Sequence, residues 1–370
     1  MEPRALMPDH LRLVALFGIV VVNVQFMAYP PSLGFAAAPT GTAADDLVIW
    51  AVNGLALLKS YGLFSFMFGV GLAFQIRSAE RRALPFGTLY RNRMVGLALL
   101  GALHGVPFFP GDILLLYAVL GGLLYRWRNW PVARLVRVGA ILLACQVALA
   151  IPLLLLAPQP DPEILALERA IMTSGTWPEV VIYRTISFAI VFPILLMLQG
   201  FAALGWFCLG LAAVRSGLID DPRHLLWARA RRVCLGPGVL LSLAGAALWQ
   251  WGDARLGEAI VVLAAPVATL GYLGLIAALP AGSGPMMGAL RGVGASSLSI
   301  YLGQSILLST IFAPYGAGLW GAVGAVQATG IALAATLALL LALMAWRQVF
   351  ALGPFEWILR RITRHGLSPR

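Results

Sequence analysis

A histidine and an aspartate stand eight residues apart in LLGALHGVPFFPGDILLLYAVLGGLLYR, residues 99–126. His104 lies on the rising arm of this apolar hairpin, and Asp112 just past its Phe-Pro-Gly bend. Ionisable groups are costly in sequence of this hydrophobicity, and where they occur they mark function by default. Of the four histidines, only His104 has no loop or terminus to sit in. The chemistry such a pair supports is proton abstraction from a hydroxyl or an amine. The imidazole acts as general base, and the carboxylate reaches back across the bend to orient the ring and fix its tautomer. Asn23, Tyr117 and Gln304 can supply neutral donors to a developing oxyanion. Lys59 and Arg184 can hold a phosphate or carboxylate, and Arg12 with its neighbouring arginines can meet the phosphates of a coenzyme A donor. No metal site is expected: HExxH, GxxxxGK[ST] and CxxC are all missing, and Cys145, Cys208 and Cys234 lack ligand spacing and read as packing residues.

Membrane-spanning helices must position these groups. The chain of 370 residues is 60% hydrophobic and 11% charged, with mean hydropathy +0.88, which describes a multi-pass membrane protein. A net charge of +11 belongs to cytoplasmic loops in such a protein, so nucleic acid is not an expected partner. The N-terminus runs into an apolar stretch with no small-residue cleavage site and reads as a retained first span. The sequence predicts an all-α transmembrane bundle of about ten spans. These lie near 11–29, 50–76, 94–109, 113–126, 135–157, 182–214, 233–251, 259–280, 298–314 and 324–350. The stretches 46–76 and 178–214 are long, and each is expected to begin along the interface; Pro193 and Gly200 predict a kink or break in the second. A short outer-face helix is expected within 158–181, and Gly69-Val70-Gly71, inside a span, reads as close helix packing. The whole chain, 1–370, forms a single transmembrane domain, with an N-terminal core at 9–126 and a C-terminal half at 182–363.

Loop charge sets the orientation. Arginines crowd the loops 77–93, 126–137 and 215–232 and the tail, whereas the alternate loops carry Arg169, Arg184 and Arg255 among eight acids. Both termini are therefore expected in the cytoplasm. At 1.5 Å per residue, Asn23 and His104 each lie about 16 Å beyond the nearest inner arginine. Tyr117 lies at about 14 Å and Gln304 at no more than about 20 Å, counted from Arg291. In a core of about 30 Å they share a layer near mid-depth. Lys59, Asp112 and Arg184 fall at the outer boundary. The expected interior is a funnel with charges at its outer mouth and neutral groups at its waist. Each position has a plainer reading beside this one. Asn23 and Gln304 serve equally as interhelical hydrogen bonds, Tyr117 as packing, and Lys59 as a snorkelling cation. Asp112 serves equally as a helix cap, and Asp9 with Arg12 as a cap and topology signal.

Five stretches in order resemble the YeiB-type bacterial membrane proteins, a family long labelled a domain of unknown function. They are DHLRLVALFGIVVVN (9–23), KSYGLFSFMFGVGLAFQ (59–75), LLGALHGVPFFPGDILLLYAVLG (99–121), GASSLSIYLGQS (294–305) and GPFEWILRRIT (353–363). Asp9, Arg12, Gly18 and Asn23 match the first motif, with Leu13 in place of its glycine. His104, Gly111, Asp112 and Tyr117 match the third; Tyr301, Gln304 and Ser305 match the fourth, where Ala295 replaces a common arginine. Gly353, Pro354, Glu356, Trp357 and Arg360 match the last. The resemblance adds Tyr301 to the binding candidates. It also implies distant similarity to transmembrane acyltransferases, which O-acetylate sugars and polysaccharides or N-acetylate glucosaminide, and so an acyl-transfer bundle. The O-acetylating branch carries a catalytic histidine eleven residues after the first-helix arginine. Here that offset lands on Asn23, so the base must be found elsewhere.

The first functional expectation is therefore an acyltransferase of the bacterial cytoplasmic (inner) membrane, using acyl-coenzyme A or another acyl donor and a sugar, glycan, lipid or small-molecule acceptor. The second is a transporter of a small anionic or lipid-like molecule, with Lys59, Arg184 and Arg12 as binding charges and His104–Asp112 as a proton-coupling pair. A third is an assembly partner without chemistry. Homodimerisation is left open.

Overall fold

A computed structural model describes residues 7–36, 42–156, 158, 161–280, 294 and 296–366, with side chains not described at 34–36. Arg291 and Ala295 lie outside the described residues. Among the described residues there are helices and turns and no strand. Among the same residues seven helical stretches are long and apolar enough to cross a membrane, and Leu114–Trp127, Gly200–Arg215 and Ser297–Phe312 are shorter apolar helices.

Chain ends sort into two layers, and hydrogen bonds between loops identify which ends share a face. Helix α1 (Met7–Ala28) ends at Tyr29, whose hydroxyl donates to the carbonyl of Val323. Helix α2 (Ala43–Ala51) starts on that same face, where the Asp45 carboxylate accepts from the Val326 amide at 2.9 Å. The chain then passes through a π-turn, Val52–Ala56, and a break at Leu58, whose φ of 65° lies in the left-handed region disfavoured for leucine. Helix α3 (Lys59–Arg81) follows. At its far end Arg77 donates to the Val214 carbonyl and pairs with Asp220 at 3.4 Å. Helices α4 (Phe86–Gly105) and α5 (Leu114–Trp127) form the central hairpin. Helix α6 is Val132–Leu156. On the arginine-rich face, Arg215 donates to the carbonyls of Arg128 and Trp130. On the opposite face, Arg255 donates to the Leu155 carbonyl. The positive-inside rule makes the arginine-rich face cytoplasmic.

Helix α7 (Pro162–Ser174) is the short helix expected on the arginine-poor face. Asp161 caps it by accepting from the Glu163 amide at 2.8 Å, with proline at the first position, where a missing N–H costs nothing. Helix α8 (Trp177–Leu198) opens with a Thr176/Glu179 capping box. It runs unbroken through Pro193, and the interruption falls at Gln199, before α9 (Gly200–Arg215). The helix is therefore interrupted beside the expected Gly200.

Helices α3 and α9 approach closely. A Cβ added to Gly69 would stand 2.0 Å from the Phe207 carbonyl oxygen, and one added to Gly210 would stand 2.0 Å from that of Phe66. The glycines allow backbone-to-backbone packing where no hydrophobic driving force operates between helices. Helix α10 (Leu225–Ala230) leads through a second π-turn, Arg231–Leu235, into α11 (Gly236–Trp251), which packs along α12 (Ala254–Ala277). Helices α13 (Ser297–Phe312) and α14 (Ala325–Val349) close the bundle against α1. The last helix, α15 (Pro354–Thr363), packs against α4 and α13.

Candidate active site

The α4–α5 hairpin has unequal arms. Helix α5 spans 14 residues, about 21 Å, so its tip stops short of the full hydrocarbon thickness. Three elements cover the tip. Arg184 of α8 donates to the carbonyl of Pro107 at 2.8 Å, to the Tyr315 hydroxyl at 2.9 Å and to the Ser309 carbonyl at 3.2 Å. Beneath this cover the His104 Nδ1 lies 2.7 Å from Asp112 Oδ2, with 2% and 0% of the two side chains exposed. The other carboxylate oxygen accepts from the amides of Leu114 at 2.8 Å and Leu115 at 3.0 Å. Asp112 is thus a helix cap and a histidine partner at once.

That arrangement fixes the tautomer. A carboxylate can only accept, so opposite an ionised Asp112 the Nδ1 atom carries the proton. In the neutral ring the lone pair then sits on Nε2, which is buried and has no hydrogen-bond partner among the described residues. Tyr301 stands beside the pair. Its ring lies 5.4 Å from the imidazole, its hydroxyl is 3.5 Å from Asp112 Oδ2, and it accepts from the Ile113 amide at 3.4 Å.

The double duty of Asp112 gives a stability prediction. Asp112→Ala removes the cap and leaves the ring N–H unanswered, at an expected cost of about 2–4 kcal/mol. Asp112→Asn keeps a carbonyl for the two amides and is expected to cost about 1 kcal/mol. Thermal unfolding of the two purified variants should rank them in that order.

Two large cavities flank the pair. One, of about 570 Å³, lies on the arginine-rich side and reaches inward to Phe64, Leu114 and Tyr117. Its wall carries Arg12, Arg82, Arg93, Arg360 and Arg364. The Arg364 guanidinium is held below its ordinary range, first by desolvation and then by the charges of Arg360 and Arg82. The acids near these arginines are already engaged. Asp9 pairs with Arg12 at 3.0 Å, and Glu356 accepts from the amides of Leu298 at 2.7 Å and Ser299 at 3.0 Å, capping α13. The second cavity, of about 690 Å³, lies on the opposite side; Phe109 and Ile113 next to the pair form part of its wall, as does Arg184. A small cavity of about 40 Å³ lies between them and shares Tyr117 with the first and Tyr61 and Ile113 with the second. His104 itself lies in neither large cavity's wall; Phe109, ring-to-ring at 6.4 Å, stands between it and the second.

The remaining sequence candidates divide. Asn23 and Tyr117 do converge on a polar waist, through residues of α3. The Tyr61 hydroxyl donates to Asn23 Oδ1, and the Tyr117 hydroxyl is 2.6 Å from that of Ser65. Tyr117 and Tyr301 also share a ring neighbour, Phe64, at 5.9 and 6.2 Å. Gln304 does not join them. It lies one turn from Tyr301 on α13 and turns to α14, where it donates to the Thr336 hydroxyl at 2.9 Å. Lys59 is not at an open mouth. It is wholly buried, donating to the Asn53 carbonyl at 3.2 Å and to the Ser242 hydroxyl. The carbonyls freed by the π-turn at Val52–Ala56 give it a partner that spacing along the chain cannot foresee. The charged mouth expected on the outer side is instead on the arginine-rich side, because α15 folds back beneath α4 and α13 and brings Arg360 and Arg364 toward Arg93. Sequence reasoning missed Tyr61 and Ser65, although their spacing of four on an otherwise apolar helix was a usable signal. It also passed over Gln75, whose Oε1 is buried without a partner among the described residues in the arginine-lined cavity.

Fold and site together define a polytopic helical membrane protein with a histidine–carboxylate pair between two cavities. The chain is similar to YeiB-type proteins: the model of the DUF418 family, described as a protein of unknown function, matches residues 213–366. It is 26% identical to the uncharacterized protein YxaH of Bacillus subtilis (strain 168), over 98% of this chain and 94% of that protein. It is 28% identical to the uncharacterized protein YeiB of Escherichia coli (strain K12), over 98% of this chain and 96% of that protein. No solved structure matches significantly.

Proposed function

We propose that this protein is an integral-membrane acyltransferase of the bacterial cytoplasmic membrane, with His104 as general base and Asp112 as its orienting carboxylate. The observation that carries the reading is the buried imidazole, fixed through Nδ1 at 2.7 Å with Nε2 unpartnered among the described residues. In this scheme Nε2 takes the proton of an acceptor hydroxyl as that oxygen attacks the acyl carbonyl, then returns it to the leaving thiolate. Asp112 stabilises the imidazolium meanwhile. Tyr301, beside the pair, would donate its hydroxyl where negative charge develops.

The arginine-lined cavity suits the phosphates of a thioester donor such as acyl-coenzyme A. Its volume lies within the range of small-molecule sites, roughly 300–1,000 Å³, and its cations outnumber the acids left to answer them. The acceptor would come from the opposite cavity.

The test is transfer of a labelled acyl group from acyl-coenzyme A in proteoliposomes. A charge-assisted contact is worth about 1.5–3 kcal/mol, so Arg93→Gln and Arg360→Gln should each raise the half-saturating donor concentration roughly 10- to 100-fold. The rate at saturation should stay within a few-fold of the unaltered protein. An unchanged half-saturation in both variants would remove the arginines from donor binding.

A second reading, transport, draws on the stacking of three cavities that share Tyr117, Tyr61 and Ile113. It predicts uptake into vesicles without any donor, and a His104 variant that alters the pH dependence of uptake while no covalent product forms.

A further inference from the structure

The cavity on the arginine-poor side is built from two unlike materials. Its walls along α7 and α8 are mostly aliphatic, with Glu179, Tyr183 and Ser187 among them. Ile164 and Leu167 on α7, and Ile182, Ile186 and Ile190 on α8, line it while remaining 55–59% exposed. The spacing of four along α8 puts its three isoleucines on one face. A space walled by residues that also face hydrocarbon opens sideways into the bilayer rather than upward into water.

In the wall of this apolar space sits one guanidinium. Arg184 is 4% exposed, and its donors reach two carbonyls and a tyrosine hydroxyl. None of these carries charge, and no carboxylate pairs with Arg184 among the described residues. The acids nearest in sequence are engaged elsewhere. Glu168 accepts from the hydroxyls of Tyr183, at 2.7 Å, and Ser32. Glu179 also lines this cavity, but its Oε2 is taken up by the Thr176 amide and hydroxyl in the cap of α8, at 2.7 Å. A buried, unbalanced cation is strongly unfavourable in hydrocarbon. An anion entering the cavity supplies the missing charge, and guanidinium binds phosphate oxygens in fork geometry.

We infer that this cavity is a binding site for an anionic phospholipid drawn from the leaflet on the arginine-poor side. The headgroup phosphate lies at Arg184 and one acyl chain lies along the isoleucine face of α8. A soluble anion fits poorly, because the entry is through lipid and most of the wall gives it nothing to bind. The inference is independent of the acyl-transfer reading: the site holds lipid whether or not His104 is a base.

The test uses the full-length protein in a neutral detergent, stripped of lipid and titrated with dioleoyl phosphatidylglycerol or dioleoyl phosphatidylcholine in native mass spectrometry. The anionic lipid should form a saturable adduct with at least about tenfold lower half-saturation than its zwitterionic counterpart. Arg184→Gln should bring the two lipids within about twofold, Arg184→Lys should keep part of the preference, and Ile186→Trp should weaken both by filling the chain groove. Ile186→Trp leaves every polar contact in place, so it decides the matter alone if Arg184→Gln does not fold. Glycerol phosphate alone should not displace the lipid. Equal binding of the two lipids by the unaltered protein, phosphatidylglycerol binding unmoved by Ile186→Trp, displacement by glycerol phosphate, or a dimer whose formation excludes the lipid would each overturn the inference.

Discussion

Replacing His104 with alanine is expected to lower acyl transfer by about 10²- to 10⁴-fold while the bundle stays folded. The size follows from the role. A positioned base removes the acceptor proton as the bond forms, and no other described group within the hairpin tip offers a free lone pair of comparable basicity. The fold survives because the ring makes one hydrogen bond. Without it, Asp112 keeps the amides of Leu114 and Leu115 and its contact with Tyr301. His104→Gln is the companion variant, since its amide N–H can still answer Asp112 although it cannot accept a proton. Both should unfold within a few degrees of the unaltered protein and both should be inactive in the proteoliposome assay. A transfer rate within threefold of wild type in folded His104→Ala would remove the histidine from the chemistry.

The largest expected effect on folding lies far from the pair, at the α3–α9 crossing. Gly69→Val and Gly210→Val each put a branched side chain where even a Cβ would stand 2.0 Å from a carbonyl oxygen of the facing helix. That neighbour is backbone, so no rotamer change relieves the overlap. The helices must separate, and overpacking of this kind costs about 1–3 kcal/mol even where side chains can yield. Here the expected loss is at or above the upper end, seen as failure to elute as a single species or as a strongly lowered unfolding temperature. The separation would also displace Tyr61, Ser65 and Phe64 at the polar waist, since all three ride on α3. Gly71, whose added Cβ would meet only the Gln75 side chain at 3.9 Å, is the control: Gly71→Ala should be nearly neutral.

How much of this could be read from the chain depends on which physical signal each feature left. Hydropathy and loop charge are summed over many residues, so the spans, the two faces and the short helix on α7 emerge from composition. The juxtaposition of His104 and Asp112 was legible for a different reason. They are close in sequence across a bend that Pro110 and Gly111 dictate, so the hairpin itself brings them together. Gln304 shows the limit of depth arithmetic. The helical rise gives a height along the axis but says nothing about which neighbour a side chain turns to, and Gln304 turns to Thr336. Lys59 shows a second limit, because its partner carbonyl exists only through a local departure from regular helix at Val52–Ala56. The arginine cavity was out of reach for a third reason. It is assembled from α1, α3, α4 and α5 near the N-terminus and from α13 and α15 near the C-terminus, and no local pattern announces that the tail folds back beneath the hairpin.

These observations join into one account. Helical packing through glycine sets the scaffold, the short hairpin carries a tautomer-fixed imidazole to its tip, and cavities of opposite character meet on either side of it. The most direct measurement is a structure of the protein bound to a non-transferable thioether analogue of acyl-coenzyme A. The account predicts phosphate density among Arg93, Arg360 and Arg364, and the acyl end within about 3.5 Å of His104 Nε2, with Phe109 or Ile113 turned aside. An analogue bound elsewhere, or one whose acyl end stays more than about 10 Å from that nitrogen while the phosphates are held, would contradict it.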